Sequence, residues 1–156
     1  MTFAGTIEAK LDGKGRVFFP SEYRRQLMVP DASLVVRKDL YQPCLVVYPM
    51  SVWQAEVEAM RQRLNPLNPR QAMLFRKFMA EAHTVQLDAS GRMLVPRRLA
   101  EAGSLEATVC FVGLNDRVEL WDKNLIETTL PTDEAFAEAF GEMFAPATET
   151  DEAATD

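Results

Sequence analysis

Two stretches of the chain set an aspartate four residues ahead of an arginine, with a glycine directly before the arginine. The first holds Asp12, Gly15 and Arg16, and the second Asp88, Gly91 and Arg92. An aspartate in such a place accepts a backbone N–H two residues on and closes an Asx-turn. Gly15 and Gly91 supply the positive φ that a turn of this kind needs. An arginine offers five donors in a planar fork. Arg16 and Arg92 can therefore brace the aspartate of their own turn or project towards phosphate and base edges. More cations lie close by: Lys14 inside the first turn, Arg24 and Arg25 after it, and Arg97 and Arg98 after the second. Cations gathered in this way can bind anions such as phosphate, or stand as ordinary solvated charges. Nothing beside them resembles a catalytic constellation, since His83 is the single histidine and Cys44 and Cys110 have no metal-ligand spacing. No enzyme activity, cofactor, metal or small-molecule substrate is expected.

The elements that must hold these turns come as a repeat. Residues 11–20 and 87–96 share the pattern L-D-x-x-G-R-x-x-x-P, five identities in ten positions. An alternating strand precedes each copy. Phe3, Gly5, Ile7, Ala9 and Leu11 share one face in the first, and His83, Val85 and Leu87 in the second, which makes His83 a core residue. Pro20 and Pro96 each end a short strand and open a short helix. Ser21 is read as an N-cap for the first of these helices and Gly103 as the stop of the second. Two strands then follow in each copy, 34–37 with 45–48 and 108–112 with 118–121. Each half thus reads strand, turn, strand, helix, strand, strand. Half of this is too small to bury its own apolar face, so two copies are expected to close on each other as a pseudo-two-fold barrel.

Between the copies the pattern turns helical. Ser51 to Gln54 has capping-box spacing, and Trp53, Val57, Met60 and Leu64 recur at helical period. Asn68 and Pro69 start a second helix with an apolar face of Leu74, Phe75, Phe78, Met79 and Ala82. No acid falls between Glu58 and Glu81, whereas Arg61, Arg63, Arg70, Arg76 and Lys77 do. This basic hairpin is open between a solvated face, a subunit interface and a DNA-facing surface, with the interface favoured, and Trp53 and Trp121 are read as packing or subunit-contact residues. Beyond it, Phe136, Phe140 and Phe144 stand opposite Glu134, Glu138 and Glu142 on a short amphipathic helix.

Charge has to be divided to be understood. The formal net charge is −6, yet residues 131–156 carry eight acids and no base. The remaining 17 bases and 15 acids leave residues 1–130 at +2, and local patches govern phosphate binding more than the total does. The longest dense apolar stretch, at 45–48, is strand-length, so no membrane span is expected. The first eight residues lack a basic stretch followed by an apolar core, and no signal peptide is expected. The two cysteines suit reduced, buried positions in a cytoplasmic protein.

The paired D-x-x-G-R units resemble the AbrB-type swapped-hairpin DNA-binding unit. Their tandem arrangement resembles the MraZ family, as do Leu45 to Met50 with Trp53, and Arg117 to Trp121 after Gly113 and Asn115. The resemblance covers residues 1–130. It implies an α+β chain, mainly a β barrel of two AbrB-like half-units at about 1–50 and 82–124. The residues themselves give a helical hairpin at 51–81 between them, a C-terminal helix at 131–145 and an acidic disordered tail at 146–156, to which the resemblance does not extend. The resemblance further implies a nucleoid-associated transcription regulator. Such a protein would assemble with itself into a ring on double-stranded DNA and repress a division and cell-wall gene cluster at direct repeats in its promoter. The family's DNA-contacting motif falls on Asp12 to Arg16 and on Asp88 to Arg92, and Lys14, against Ser90, makes the first turn the stronger reader. Read residue by residue, Asp12 and Asp88 serve the turn first and Arg16 contacts DNA, while Arg92 is open between contact and brace. Lys14 favours phosphate, and Arg24, Arg25, Arg97 and Arg98 stand between phosphate contact and plain solvated charge. The alternative function is a ring-forming protein-interaction module that ignores DNA.

Overall fold

The computed structural model describes residues 1–27 and 33–146. Among the described residues, eight strands and six helices run in the order β1 (Thr6–Lys10), β2 (Arg16–Phe18), α1 (Ser21–Arg24), β3 (Ser33–Lys38), β4 (Leu45–Pro49), α2 (Met50–Arg63), α3 (Pro69–Ala80), β5 (His83–Gln86), β6 (Arg92–Leu94), α4 (Arg97–Ala102), β7 (Thr108–Gly113), β8 (Val118–Asp122), α5 (Lys123–Thr129) and α6 (Asp133–Met143). The chain divides into two compact units, Met1–Ile126 and Glu127–Asp156.

Six strands of the first unit form one antiparallel sheet in the order β1-β7-β8-β4-β3-β5, and β2 pairs with β6 in a separate ribbon. Exchange the two repeats and the order reads the same backwards. Each repeat lends its first strand to the other: β1 lies along β7, with Ile7 opposite Phe111, and β5 lies along β3, with Val85 opposite Leu34. The closed barrel expected from the sequence is not what the hydrogen bonds make. The sheet is open, with β1 and β5 as its edges. The cause is local. The Asp12 and Asp88 turns bend the chain sharply after β1 and β5, so that β2 and β6 pair with each other instead of extending the ladder.

Burial follows the strand period. Ile7 and Ala9 on β1 are half-buried while Thr6, Glu8 and Lys10 face water. β4, in the middle of the sheet, is buried on both faces. One face of β3 and β4, with Leu34, Val36, Leu45 and Val47, joins the main core, which Val17 and Met93 of the ribbon cover from the other side. Phe19 meets Phe111 edge-on at 5.6 Å and Tyr23 at 6.1 Å. Tyr23 also donates to the Ala4 and Gly5 carbonyls at 3.0 Å, which ties α1 to the start of the chain. His83 on β5 is half-buried and lies opposite Val36.

The opposite sheet face carries two smaller clusters, related like the repeats. Val35, Val46, Tyr48 and Trp53 pack under α2 and α3, and Cys44, Cys110, Trp121 and Ile126 pack under α5. Both cysteines are free and buried, and burial pushes the Cys44 thiol well above its usual range. Trp53 and Trp121 are therefore interior packing residues. An aromatic stack fastens the helical hairpin. Trp53 stacks on Phe78 at 5.4 Å, and the Arg37 guanidinium lies 3.9 Å from the Phe78 ring centre. On the far side, Tyr48 packs on Trp53, and Arg117 lies over Tyr48 while pairing with Glu56 at 2.7 Å.

Several local readings need correction. Ser51 does not cap α2; the cap position is Pro49, one residue before the helix starts at Met50, with no side-chain hydrogen bond. Ser21 likewise is the first residue of α1 behind Pro20. In both cases a proline with extended ψ already sets the entry to the helix. Asn68, by contrast, caps α3 by accepting from the Arg70 and Gln71 N–H groups, and Gly103 ends α4. Leu74 is exposed, at the rim of a hollow that it shares with Met60, Phe75 and Phe78. Helix α5 was not anticipated; it is the second repeat's counterpart to α2. Apart from Pro146, the tail expected at 146–156 lies outside the described residues. No helix of the described residues is long and apolar enough to cross a membrane.

In the second unit, the Thr132 hydroxyl accepts the Ala135 N–H and caps α6. The rings of Phe136, Phe140 and Phe144 form a ladder with centre distances of 5.1 and 4.8 Å, and all three are exposed.

Phe111 is fully buried where the core meets both repeats. Phe111→Ala should lower stability by about 3–5 kcal/mol, read as a shift of the urea midpoint. A midpoint that stays in place would contradict the core described here.

Candidate nucleic-acid interface

The two turns are built alike, atom for atom. Asp12 Oδ1 accepts the N–H groups of Lys14 and Arg16, both at 2.9 Å, and Oδ2 accepts Arg16 Nε at 2.8 Å. Asp88 Oδ1 accepts Ser90 N–H at 2.9 Å and Arg92 N–H at 2.8 Å, and Oδ2 accepts Arg92 Nε at 2.8 Å. Gly15 and Gly91 both have φ of +86°. The backbone bond from the Arg16 N–H is the largest influence on the Asp12 carboxyl. With the Arg16 guanidinium and the Lys14 N–H, it holds that carboxyl far below the usual range, at about 2. The Arg92 N–H, then its guanidinium and the Ser90 N–H, lower Asp88 in the same way.

The turns also hold each other. The Gly15 carbonyl accepts the Val95 N–H at 2.8 Å, and the Gly91 carbonyl accepts the Phe19 N–H at 3.0 Å. Between them β2 and β6 pair antiparallel, with Arg16 opposite Leu94 and Phe18 opposite Arg92. Val17 and Met93 face the core. Period-2 alternation then puts Arg16, Phe18, Arg92 and Leu94 on the outer face. The two arginines are diagonal neighbours there, about 7–8 Å apart at the backbone. Each side chain gives Nε to its own aspartate and makes no other ion pair or hydrogen bond among the described residues, so the terminal nitrogens stay available. Both arginines thus brace their own turns, the first of the two roles open to them.

The remaining candidates divide. Lys14 is exposed at the tip of the first turn. The second turn has Ser90 in that place, but Arg24 of α1 crosses over and donates to the Ser90 carbonyl at 3.4 Å. The cation missing from the second turn's own sequence is thus supplied by the first repeat. Arg16, Arg24 and Arg92 line one concavity, with Lys10 on its wall. Arg25 stands at the C-cap of α1, outside the lining of that concavity. Arg97 pairs with Glu101 at 3.3 Å. Arg98 lines a different hollow, beside Lys38, Glu81 and His83. Sequence reasoning missed Lys10, which donates to Thr108 Oγ1 at 2.8 Å, and the two exposed apolar residues Phe18 and Leu94. The alternation from Val17 and Met93 is the signal that finds the latter pair.

The geometry carries two predictions. A Cβ on Gly15 would sit 2.9 Å from the Val95 carbonyl oxygen at an unfavourable φ. Gly15→Ala should therefore cost about 1–3 kcal/mol in chemical denaturation. The depressed Asp12 carboxyl stabilises the fold at pH values above its unfolded range near 3.8, and that contribution is lost as pH falls towards about 2. In melting curves across this window, Asp12→Asn should flatten the acid limb. An acid limb equal to that of the unsubstituted protein would remove the turn from the cause.

Comparison with known proteins agrees with the two-fold build. The model of the antitoxin-like MraZ protein family matches residues 2–77 and again residues 78–149. A protein of Bacteroides fragilis called transcriptional regulator MraZ is 39% identical over 142 residues, 90% of either chain. A relative of the same name from Phocaeicola vulgatus is 40% identical over 144 residues, 92% of this chain and 94% of its own. One from Alkalilimnicola ehrlichii is 40% identical over 121 residues, 77% and 80% of the two chains. The chain belongs to the MraZ family.

Proposed function

We propose that this protein is a DNA-binding transcription regulator whose β2–β6 ribbon, with the two Asp–Arg turns at its ends, enters the major groove. A two-stranded ribbon fits that groove. The observation that carries the reading is the shared outer face of Arg16 and Arg92, each with one nitrogen fixed by its aspartate and the others free. Guanidinium groups held this way lose little entropy on meeting guanine edges or phosphates. Lys14 and Arg24 supply one further cation to each turn. Arg25 is a peripheral phosphate contact, and Arg97 and Arg98 contribute least, one being paired and the other remote from the concavity. No catalysed reaction is proposed.

The family resemblance and the relatives' name support the finer reading. The protein acts in the cytoplasm, at the nucleoid, as a ring of copies on direct repeats in the promoter of the division and cell-wall gene cluster, and it represses that promoter. A ring suits a module this small. Few phosphate contacts bind weakly at physiological salt, and several linked modules gain about 100-fold or more by avidity.

The test is fluorescence anisotropy of a labelled fragment from upstream of the protein's own gene, across a salt series. Arg16→Ala and Arg92→Ala should each weaken binding, and each lost phosphate contact should reduce the log–log salt slope by about 0.9. With Arg24 beside the second turn, the two variants are expected to lose comparable affinity. A folded, assembled wild type that ignores the fragment at low salt would sink this reading in favour of a protein-interaction module.

A further inference from the structure

The hairpin of α2 and α3 holds an open groove of about 700 Å3. Its walls are apolar and include Leu64, Ala72, Phe75 and Met79, and Arg61 and Arg76 stand at its lips. Arg61, Arg63, Arg70 and Arg76 make no ion pair among the described residues, and no acid lies between Glu58 and Glu81 to neutralise them. Helix α6 is the complement in every respect. Phe136, Phe140 and Phe144 form an exposed ladder about 12 Å long at helical rise. The acids Asp133, Glu134, Glu138 and Glu142 are unpaired among the described residues, and four more acids follow in the sequence with no base. A helix in water does not keep three phenylalanines on its surface without a partner face.

We propose that α6 docks into the α2–α3 groove of a second copy of this chain. The phenylalanine ladder fills the apolar floor, and the acids of α6 lie in the field of the groove's arginines. This mode of binding is that of an amphipathic helix in a groove, anchored at i, i+4 and i+8. It is also heterologous, because donor helix and acceptor groove are different surfaces. Each copy keeps one of each unused until the next copy arrives, and such a contact closes into a ring when the rotation between copies permits. The inference rests on the self-assembly part of the proposed function and is independent of DNA.

The test uses the full chain with a benzoylphenylalanine photo-cross-linker in place of Phe140. Light-nitrogen and heavy-nitrogen preparations are mixed, irradiated and mapped by mass spectrometry. The expected result is mixed-isotope cross-links from position 140 to Leu64, Phe75 or Met79. Cross-links that stay within one chain, or that reach another surface of the second copy, would overturn the docking. In sedimentation, the triple change Phe136→Ser, Phe140→Ser, Phe144→Ser should raise the assembly midpoint by more than about tenfold, the scale for losing buried aromatic anchors. Arg61→Glu with Arg76→Glu, on exposed side chains that leave the core intact, should act in the same direction. Unchanged assembly in both variants would refute the proposal. A wild type that sediments as a monomer would defeat both the docking and the ring. An assembly that binds DNA but cross-links elsewhere would defeat the docking alone.

Discussion

The geometry of the β2–β6 ribbon and of both turns hangs on two backbone hydrogen bonds that cross between the repeats. The Val95 N–H meets the Gly15 carbonyl and the Phe19 N–H meets the Gly91 carbonyl, so neither turn has its final shape without the other. These bonds fix where β2 ends against β6, and hence that Arg16, Phe18, Arg92 and Leu94 share one outward face. They also explain the glycines. At Gly15 the carbonyl of Val95 approaches too closely for a Cβ, and at Gly91 a Cβ would land on the Arg24 guanidinium. Conformation demands glycine at both positions, and at Gly15 the backbone denies a Cβ space as well, whereas the Arg24 side chain beside Gly91 is able to swing aside.

The exchange of edge strands extends that mutual dependence to the whole first unit. β1 belongs by sequence to the first repeat and by hydrogen bonds to the second, and β5 the reverse. A repeat on its own would expose both the vacant edge and the apolar face that its partner covers. Folding and site assembly are thus the same event: once the core around Phe111 and Met93 forms, both turns are in place. The open sheet leaves β1 and β5 as edges, and β1 carries charges on its solvent face at Glu8 and Lys10. Charge on an exposed edge is the usual protection against strand addition.

Electrostatics divide the chain by segment. Asp12 and Asp88 are spent inside the turns, where they neutralise part of each arginine and fix its direction. What remains outward is cationic around the ribbon, cationic along the helical hairpin, and anionic from residue 131 on. A net charge of −6 describes none of these three surfaces. The two cationic surfaces are also chemically different. The ribbon carries short, braced arginines beside two exposed apolar residues, which suits a groove lined with phosphate and base edges. The hairpin carries unpaired arginines around an apolar trough, which suits an acidic, aromatic helix.

The sequence by itself determined the repeat, the turns, most element boundaries and the residue types of the site, because these are local. Asx-turns, period-2 strands and the Asn68–Pro69 helix start are decided within a few residues and can be read without a fold. The Ser51 and Ser21 caps misled because Pro49 and Pro20, with extended ψ, set the helix starts ahead of the serines and leave both serines inside the helices. Tertiary structure alone decided what depends on distant partners. It chose an open sheet over a closed barrel, since the turns deflect β2 and β6 into their own ribbon. It buried Arg37 against the Phe78 ring, a contact that nothing in its own apolar strand announces. It brought Arg24 to the second turn across 66 residues and sent Arg98 to another hollow. Side chains that share a surface across two repeats have no common period in the sequence, so only the packing of one repeat on the other can select them.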